Sequence, residues 1–307
     1  MQEQTNPLLC DIVSGLCEVS VDQKDTTALE TPLTIEKPLR ILYFTDPICS
    51  SCWGIEPQWR KLKLAYGNDL EIEYKMGGLL KDWTYNSGQI SKPSDVAGHW
   101  DEVSVHYDMP IDGDVWLEDP LHSSYPPSIA FKAAQMQNKD MAILFLREIR
   151  EMVFLQKKNI TKWEYLEAAA KKVGLNILQF KTDYEGKAKE LFEEDVRIGK
   201  DSGVRGFPTM IFTNMEGEQE FVYGSKTYNF LENVVLKLYP VATKSPYNKD
   251  WNSVFLKYNS LTVNEYAQTT DTTRTDSEKL LNDLTAQGKL EKLTTKNGAI
   301  WTVKNIH

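Results

Sequence analysis

Two cysteines separated by two residues, Cys49 and Cys52, are the residues of this 307-residue chain best suited to do chemistry. They lie in the segment FTDPICSSCWG. Three interpretations fit such a pair: a redox-active dithiol, part of a metal site, or two small apolar residues of a core. A thiol at the start of a helix is acidified by the unpaired backbone N–H groups there, which favours attack on a disulfide.

The flanking sequence favours the dithiol. The run from Leu39 to Phe44 is typical of a buried strand, and Asp46-Pro47 interrupts it. From Cys52 onward, apolar residues recur mostly at helical spacing as far as Gly67. We therefore predict that Cys49 lies where a strand gives way to a helix, has a lowered pKa and acts as the nucleophile. Cys52, one turn further along, would resolve the mixed disulfide. The turn explains Asp46, and we assign it no catalytic role.

The two other cysteines, Cys10 and Cys17, enclose six residues with a glycine among them, and together they could close an eight-residue loop. This pair could close as a disulfide, exchange with Cys49 as accessory redox thiols, share a zinc ion with the second pair, or be inert. A zinc site usually needs four Cys or His ligands, and none of the four histidines is paired at ligand spacing. We predict no metal and no cofactor.

The charge of the chain limits its partners. The formal net charge is −9, which disfavours general affinity for nucleic acid or anionic lipid. No window has the roughly 18 consecutive apolar residues of a membrane span, and the first ten residues lack the pattern of a secretory signal. We therefore expect a cytoplasmic protein that acts on protein or peptide thiols and disulfides, without nucleic acid or membrane partners.

A second motif lies far downstream, in GVRGFPTMIF from Gly203 to Phe212. It combines a glycine turn, a proline and an apolar strand. Because proline cannot donate to a sheet ladder, Pro208 is expected at the start or the edge of that strand. A cis bond before this proline would aim the flanking backbone at a neighbouring site.

Together, TDPICSSCW, YKMGGLL, SSYPPSIAFKAA and GVRGFPTMIF resemble the DsbA family of thioredoxin-fold proteins, especially its FrnE-like dithiol-disulfide isomerase branch. The resemblance spans about residues 39–239. It implies an α/β thioredoxin fold with an inserted helical domain, Cys49 as the nucleophile, Cys52 as the resolving thiol and Pro208 as a cis proline. Phe207, Pro208 and Trp53 are the expected substrate-binding residues.

One departure from that family lies between the cysteines. The dipeptide there is Ser50-Ser51, whereas the periplasmic oxidants carry a histidine that stabilises the thiolate. We therefore expect a dithiol with weaker oxidising power, whose favoured direction in a reducing cytosol is reduction or isomerisation.

The pattern predicts three regions. Residues 1–38 form a mostly extended arm with the first cysteine pair, and residues 39–240 form the thioredoxin domain, with a helical insertion at about 94–202. Residues 241–307 form a linker and a small α+β unit whose order of elements resembles a winged helix. From Trp251 onward, seven Lys or Arg face six Asp or Glu. This balance favours a protein contact or self-association over DNA binding.

Two functions fit these features. The first is an enzyme that exchanges protein or peptide disulfides. The second is an adaptor similar to YjbH, a DsbA-like protease adaptor with a zinc-binding arm, in which the fold is a recognition surface and the dithiol is regulatory or vestigial. The intact C-x-x-C pair favours the enzyme, because an adaptor does not require it.

Overall fold

A computed structural model describes residues 11–12, 14–18, 37–83 and 92–304. Most of the predicted arm, including Cys10, lies outside these residues. The described strands are β1 (Cys17–Glu18), β2 (Leu39–Thr45), β3 (Leu70–Met76), β4 (Gly206–Phe207), β5 (Thr209–Asn214), β6 (Gln219–Tyr223), β7 (Ser260–Thr262), β8 (Leu290–Thr295) and β9 (Gly298–Val303).

The central sheet has four strands in the order β3-β2-β5-β6. The β2–β3 pair is parallel, and the other two pairs are antiparallel. Strands β5 and β6 form an antiparallel hairpin, and helix α10, whose range is given below, follows it. The middle strands are buried because they consist almost entirely of apolar or small residues. They hold the turn after β2 and the start of β5 side by side.

The described helices of the first two thirds of the chain are α1 (Ser50–Gly54), α2 (Glu56–Tyr66), α3 (Ser94–Tyr107), α4 (Val115–Glu118), α5 (Tyr125–Gln137), α6 (Lys139–Leu155), α7 (Trp163–Lys172), α8 (Ile177–Glu185) and α9 (Lys187–Asp201). The sequence predicted one helix from Cys52 to Gly67, and the structure divides it at Ile55. Pro57 explains the division, because it has no N–H to donate to the carbonyl of Trp53.

Helices α3 to α9 form the predicted insertion between β3 and β4. Their core is aromatic: Trp100 packs edge-on against Trp116 with ring centroids 5.2 Å apart, and also against Phe154 at 4.7 Å. Helix α6 is the longest of these helices. Its inner face carries Arg150, which is 1% exposed and reaches the turn after β2.

The remaining helices are α10 (Tyr228–Leu238), α11 (Trp251–Lys257), α12 (Val263–Thr270) and α13 (Arg274–Ala286). Helices α11 to α13 join a sheet of order β7-β9-β8 around a small separate core. The fold class is therefore the predicted one, a thioredoxin-like α/β domain followed by a small α+β unit. Strand β7 was not expected from the sequence, because a three-residue strand is too short to show periodicity.

Within the described part of the chain, none of the helices has the length and apolar character needed to cross a membrane.

Candidate functional site: the dithiol and the strand that covers it

Cys49 lies at the junction of a strand and a helix, as predicted. Strand β2 ends at Thr45, and Cys49 is the N-cap residue of α1. Its Sγ accepts a hydrogen bond from the backbone N–H of Cys52 at 3.2 Å. The sulfur thus occupies the place of a capping oxygen, where backbone N–H groups stabilise negative charge.

The predicted proline faces this sulfur. The peptide bond between Phe207 and Pro208 is cis, and the carbonyl oxygen of Phe207 lies 3.6 Å from Sγ of Cys49. The ring of Phe207 packs directly against Gly77, where an added Cβ would lie 1.9 Å from it, so only glycine leaves room for the ring. The two motifs, 158 residues apart, therefore meet at one site.

A strand of the N-terminal arm covers the site. Strand β1 pairs antiparallel with β4, so that Cys17 lies opposite Phe207 and Glu18 opposite Gly206. The Sγ atoms of Cys17 and Cys49 are 3.2 Å apart, and both residues are fully buried. Cys17 is disulfide-bonded, whereas Cys49 and Cys52 are free thiols. The edge beside the cis proline is therefore occupied by the chain's own strand.

A tight turn anchors this strand. Asp11 forms an isolated antiparallel bridge with Leu16, and the carbonyl of Gly15 accepts a hydrogen bond from the N–H of Ser225 at 2.8 Å. Gly15 has φ +68, and a Cβ there would lie 2.8 Å from the nitrogen of Ser225. Across this contact, a Cβ at Gly224 would lie 2.2 Å from the carbonyl oxygen of Ser14. The arm docks backbone against backbone, which only glycine permits at these positions.

The environment of Cys49 overturns the prediction of an acidic thiol. Burial raises the pKa of Cys49 well above its ordinary value, and the neighbouring Cys52 and Asp46 raise it further. The hydrogen bond from the N–H of Cys52 acts in the opposite direction but is outweighed. The sequence predicts the helix terminus that stabilises the thiolate. It does not predict that strand β1 covers the sulfur and removes water from it.

Asp46 does more than make a turn. Its carboxylate is fully buried and accepts hydrogen bonds from the N–H of Ile48, the N–H of Leu79 and the hydroxyl of Ser124, at 3.0, 2.8 and 2.8 Å. Burial nevertheless raises the pKa of Asp46 to about 6. The side chain ties the turn before Cys49 to the segment after β3 and to the start of α5.

Arg150 is a further residue that the sequence analysis missed. It donates to Oε1 of Glu56 at 3.0 Å, to Oγ1 of Thr45 at 2.5 Å and to the carbonyl of Asp46 at 3.2 Å. Burial disfavours its charge, but the acidic groups of Tyr43, Glu56 and the two thiols outweigh burial and raise the pKa of Arg150. It is a buried cation behind the dithiol. The sequence feature that could have indicated its role is the position of an arginine on the apolar face of helix α6.

Tyr107 covers the dipeptide between the cysteines. Its hydroxyl lies 3.0 Å from Oγ of Ser51, and burial raises the pKa of Tyr107 to about 12. The insertion therefore lies over the dithiol from this side.

Trp53 is not placed to bind a substrate. Its ring is fully buried, donates from Nε1 to the carbonyl of Pro110 at 3.0 Å and stacks on Phe154 at 5.5 Å. The guanidinium of Arg147 lies 4.3 Å from the ring centroid. This part of the prediction was wrong: the residue after Cys52 points into the core between α1 and the insertion.

The described residues contain no cluster of three or more His, Cys, Asp or Glu side chains that could hold a metal ion. A zinc site that uses Cys10 would include a residue outside the described ranges.

The fold and the paired motifs define a thioredoxin-fold protein of the DsbA type, and a sequence model described as Thioredoxin matches residues 42–233. Among solved structures, the cytosolic disulfide reductase DsbM from Pseudomonas aeruginosa is similar in fold. It has a TM-score of 0.52 and 20% identity, and the match covers 64% of this chain and 98% of the reductase.

Over nearly its whole length, this chain is similar to proteins named ClpXP adapter protein SpxH. The relative from Halalkalibacterium halodurans is 32% identical over 306 residues, 98% of this chain and 97% of the relative. The relative from Bacillus subtilis is 30% identical over 271 residues, 87% of this chain and 89% of the relative. The chain belongs to this adapter family, within the thioredoxin class. The resemblance to the DsbA family is confirmed, and the adaptor branch is better supported than the isomerase branch.

Proposed function

We propose that this protein is an adaptor that binds a client protein in the cytoplasm and delivers it to the ClpXP protease. In this proposal the thioredoxin fold is a binding scaffold, and the dithiol is a controlled element of it. This reverses the order of the two functions expected from the cysteine motif alone.

One observation carries the proposal. The Sγ of Cys49 has no exposed surface and lies 3.2 Å from Cys17, in a strand that pairs with β4. Thioredoxin-type exchange requires an extended substrate segment to reach the nucleophile. Here the chain itself fills that position, so the site is closed to other disulfides while the arm is docked.

The extent of the similarity supports the same proposal. The match to the adapter from H. halodurans covers 98% of the chain and therefore includes most of the C-terminal unit. The match to the reductase covers only 64%. The C-terminal unit is accordingly proposed as a partner-binding or self-association element, which its balanced charge favours over contact with DNA.

The test is degradation by purified ClpXP with ATP. An extract from cells that lack this protein is incubated with the protease, with and without the added chain, and protein half-lives are followed by quantitative mass spectrometry. We expect a small set of proteins to be degraded several-fold faster when the chain is present. The double variant Cys49→Ala/Cys52→Ala should accelerate the degradation of the same proteins.

A second function, exchange of protein disulfides, is supported by the free state of Cys49 and Cys52 and by the carbonyl of Phe207 beside the nucleophile. Reduction of insulin disulfides by the wild type, lost in the double variant, would support it. If no protein is degraded faster while insulin is reduced, the adaptor proposal is wrong and the enzyme takes its place.

A further inference from the structure

We propose that the N-terminal arm is a resident disulfide substrate of the dithiol: the disulfide formed by Cys17 exchanges with Cys49 and Cys52 within one chain. The inference goes beyond client delivery and does not depend on it. It assigns one reaction to the two cysteine pairs.

The first support is the placement of Cys17. Pairing between β1 and β4 sets Cys17 opposite Phe207, the residue whose carbonyl oxygen is 3.6 Å from Sγ of Cys49. A separation of 3.2 Å between the two sulfurs is within the range of a near-attack arrangement, about 3 to 3.5 Å.

The second support is the redox state of the four sulfurs. Cys17 is in a disulfide, and Cys49 and Cys52 are both thiols. These are the reactants of one exchange: an oxidised pair that touches a reduced pair. No external oxidant or reductant is needed for it.

The partner of Cys17 follows from the sequence. The chain has four cysteines, and Cys10 is the one that remains. Asp11 and Leu16, which directly follow Cys10 and directly precede Cys17, form an antiparallel bridge with a hydrogen bond of 2.9 Å. We assign Cys10 as the partner in the arm disulfide.

The exchange then has two balanced steps. Cys49 gives up its proton as its sulfur attacks Sγ of Cys17; a Cys17–Cys49 disulfide forms, the Cys10–Cys17 bond breaks, and the Cys10 sulfur leaves as a thiolate that takes up a proton. The thiolate of Cys52 then attacks Sγ of Cys49 and releases Cys17. One disulfide is broken, one is formed, and two electrons pass from the Cys49–Cys52 pair to the arm. The reverse sequence reoxidises the arm.

Backbone contacts outside the cysteines hold the described part of the arm in place. Its turn is fixed by the left-handed Gly15, by the hydrogen bond between Gly15 and Ser225, and by the close approach of Ser14 to Gly224. These contacts involve none of the sulfurs. They hold Cys17 in position before any bond to Cys49 forms.

The test uses the full-length Cys52→Ser variant with its arm oxidised. Iodoacetamide removes the Cys10 thiolate as it is released, so the Cys17–Cys49 disulfide should accumulate as the main disulfide in peptide mapping by mass spectrometry. The rate should be independent of protein concentration, because both groups belong to one chain.

Two variants provide controls. Gly15→Val should undock the arm without altering a cysteine, and in the Cys52→Ser background it should slow formation of the mixed disulfide by about a hundredfold, the order of loss from a misplacement of about 1 Å. Gly217→Val places the same strain at φ +85 with no atom within 4 Å of the new Cβ, and it should leave the rate unchanged. Adding Cys10→Ser should abolish the product.

Two results would overturn the proposal. One is an arm disulfide that persists while Cys49 is alkylated in the docked protein. The other is a mixed disulfide that forms at a rate proportional to protein concentration, since the arm would then be attacked from another chain. Either result leaves adaptor activity unaffected, so the two proposals fail separately.

Discussion

Arg147 and Glu265 form a two-pronged ion pair between the insertion and the C-terminal unit. Nη1 and Nη2 of the arginine donate to the two carboxylate oxygens at 2.8 and 2.9 Å, and the Glu265 side chain is fully buried. The same carboxylate lies 3.2 Å from Nε of Arg60. The C-terminal unit is therefore fixed to the thioredoxin domain through buried charges.

These charges belong to a balanced group. Three cations, Arg60, Arg147 and Arg150, are joined by three anions, Glu56, Glu151 and Glu265. None of the six side chains is more than 12% exposed. Arg150 carries the connection to the turn before Cys49. The group links the C-terminal unit to the dithiol region.

The first prediction concerns Glu265→Gln. The glutamine keeps the capping hydrogen bond at the start of α12 but leaves one buried cation uncompensated, which typically costs about 3 to 5 kcal/mol. We expect the free energy of unfolding to fall by about 3 kcal/mol in urea titrations. Arg274→Ala, at an exposed pair with Asp108, should change it by at most about 1 kcal/mol. Equal effects of the two variants would contradict this account.

The second prediction concerns the support of the cis proline. Gly77→Ala would force a methyl group into the ring of Phe207 and displace the backbone that faces Cys49. We expect a loss of stability of about 1 to 3 kcal/mol, the usual result of overpacking, measured by thermal and urea unfolding.

The matched control for Gly77→Ala is Gly98→Ala. Gly98 lies inside α3, is exposed and has no atom within 4 Å of the added Cβ. Alanine is the better helix former by roughly 0.5 to 1 kcal/mol, so this variant should be slightly more stable than the wild type. A neutral Gly77→Ala would show that Phe207 can move freely.

The third prediction concerns the pH dependence due to Asp46. In the unfolded chain its carboxyl has the ordinary pKa of about 4, and in the folded chain the pKa is about 6. Between these values the folded state retains a proton that the unfolded state has lost. The contribution of Asp46 is therefore most favourable below about pH 4 and falls by up to roughly 3 kcal/mol as pH rises through the folded pKa.

Asp46→Asn tests this sign. The amide does not titrate, so the variant does not lose this contribution. As pH rises from about 4 to 6, the unfolding free energy of the wild type should therefore fall relative to that of the variant. Glu73, whose pKa Lys75 and Arg40 lower to about 2 against the effect of burial, acts in a lower pH window and is present in both proteins. Stability curves that run parallel from pH 4 to 7 would refute the assignment.

The sequence predicted those features that local pattern controls. The strand before Cys49 and the strand that follows Pro208 were expected, because each rests on a short motif. The cis bond before Pro208 was expected from the resemblance to the DsbA family. The order of elements in the C-terminal unit was also expected, apart from β7.

The features that the sequence did not predict depend on contacts between distant segments. No local pattern indicates that Cys17 would pair opposite Phe207, and the burial that raises the pKa of Cys49 follows from that pairing. The role of Arg150 requires knowing that α6 faces the turn at Asp46. Trp53 was expected among the substrate-binding residues that the family resemblance implies, but the direction of its side chain is set by the insertion.

The most direct test of the central claim is the pKa of Cys49 with the arm docked and undocked. It can be measured from the pH dependence of iodoacetamide alkylation, with Cys49 identified by peptide mapping. In the wild type we expect a pKa above the ordinary thiol value of about 8.5, and slow alkylation at neutral pH. In Gly15→Val the helix terminus should act on an open sulfur and lower the pKa below about 8.5, whereas Gly217→Val should behave as the wild type. A wild-type Cys49 that already titrates below about 8.5, or that does not respond to Gly15→Val, would contradict the claim that the arm seals the dithiol.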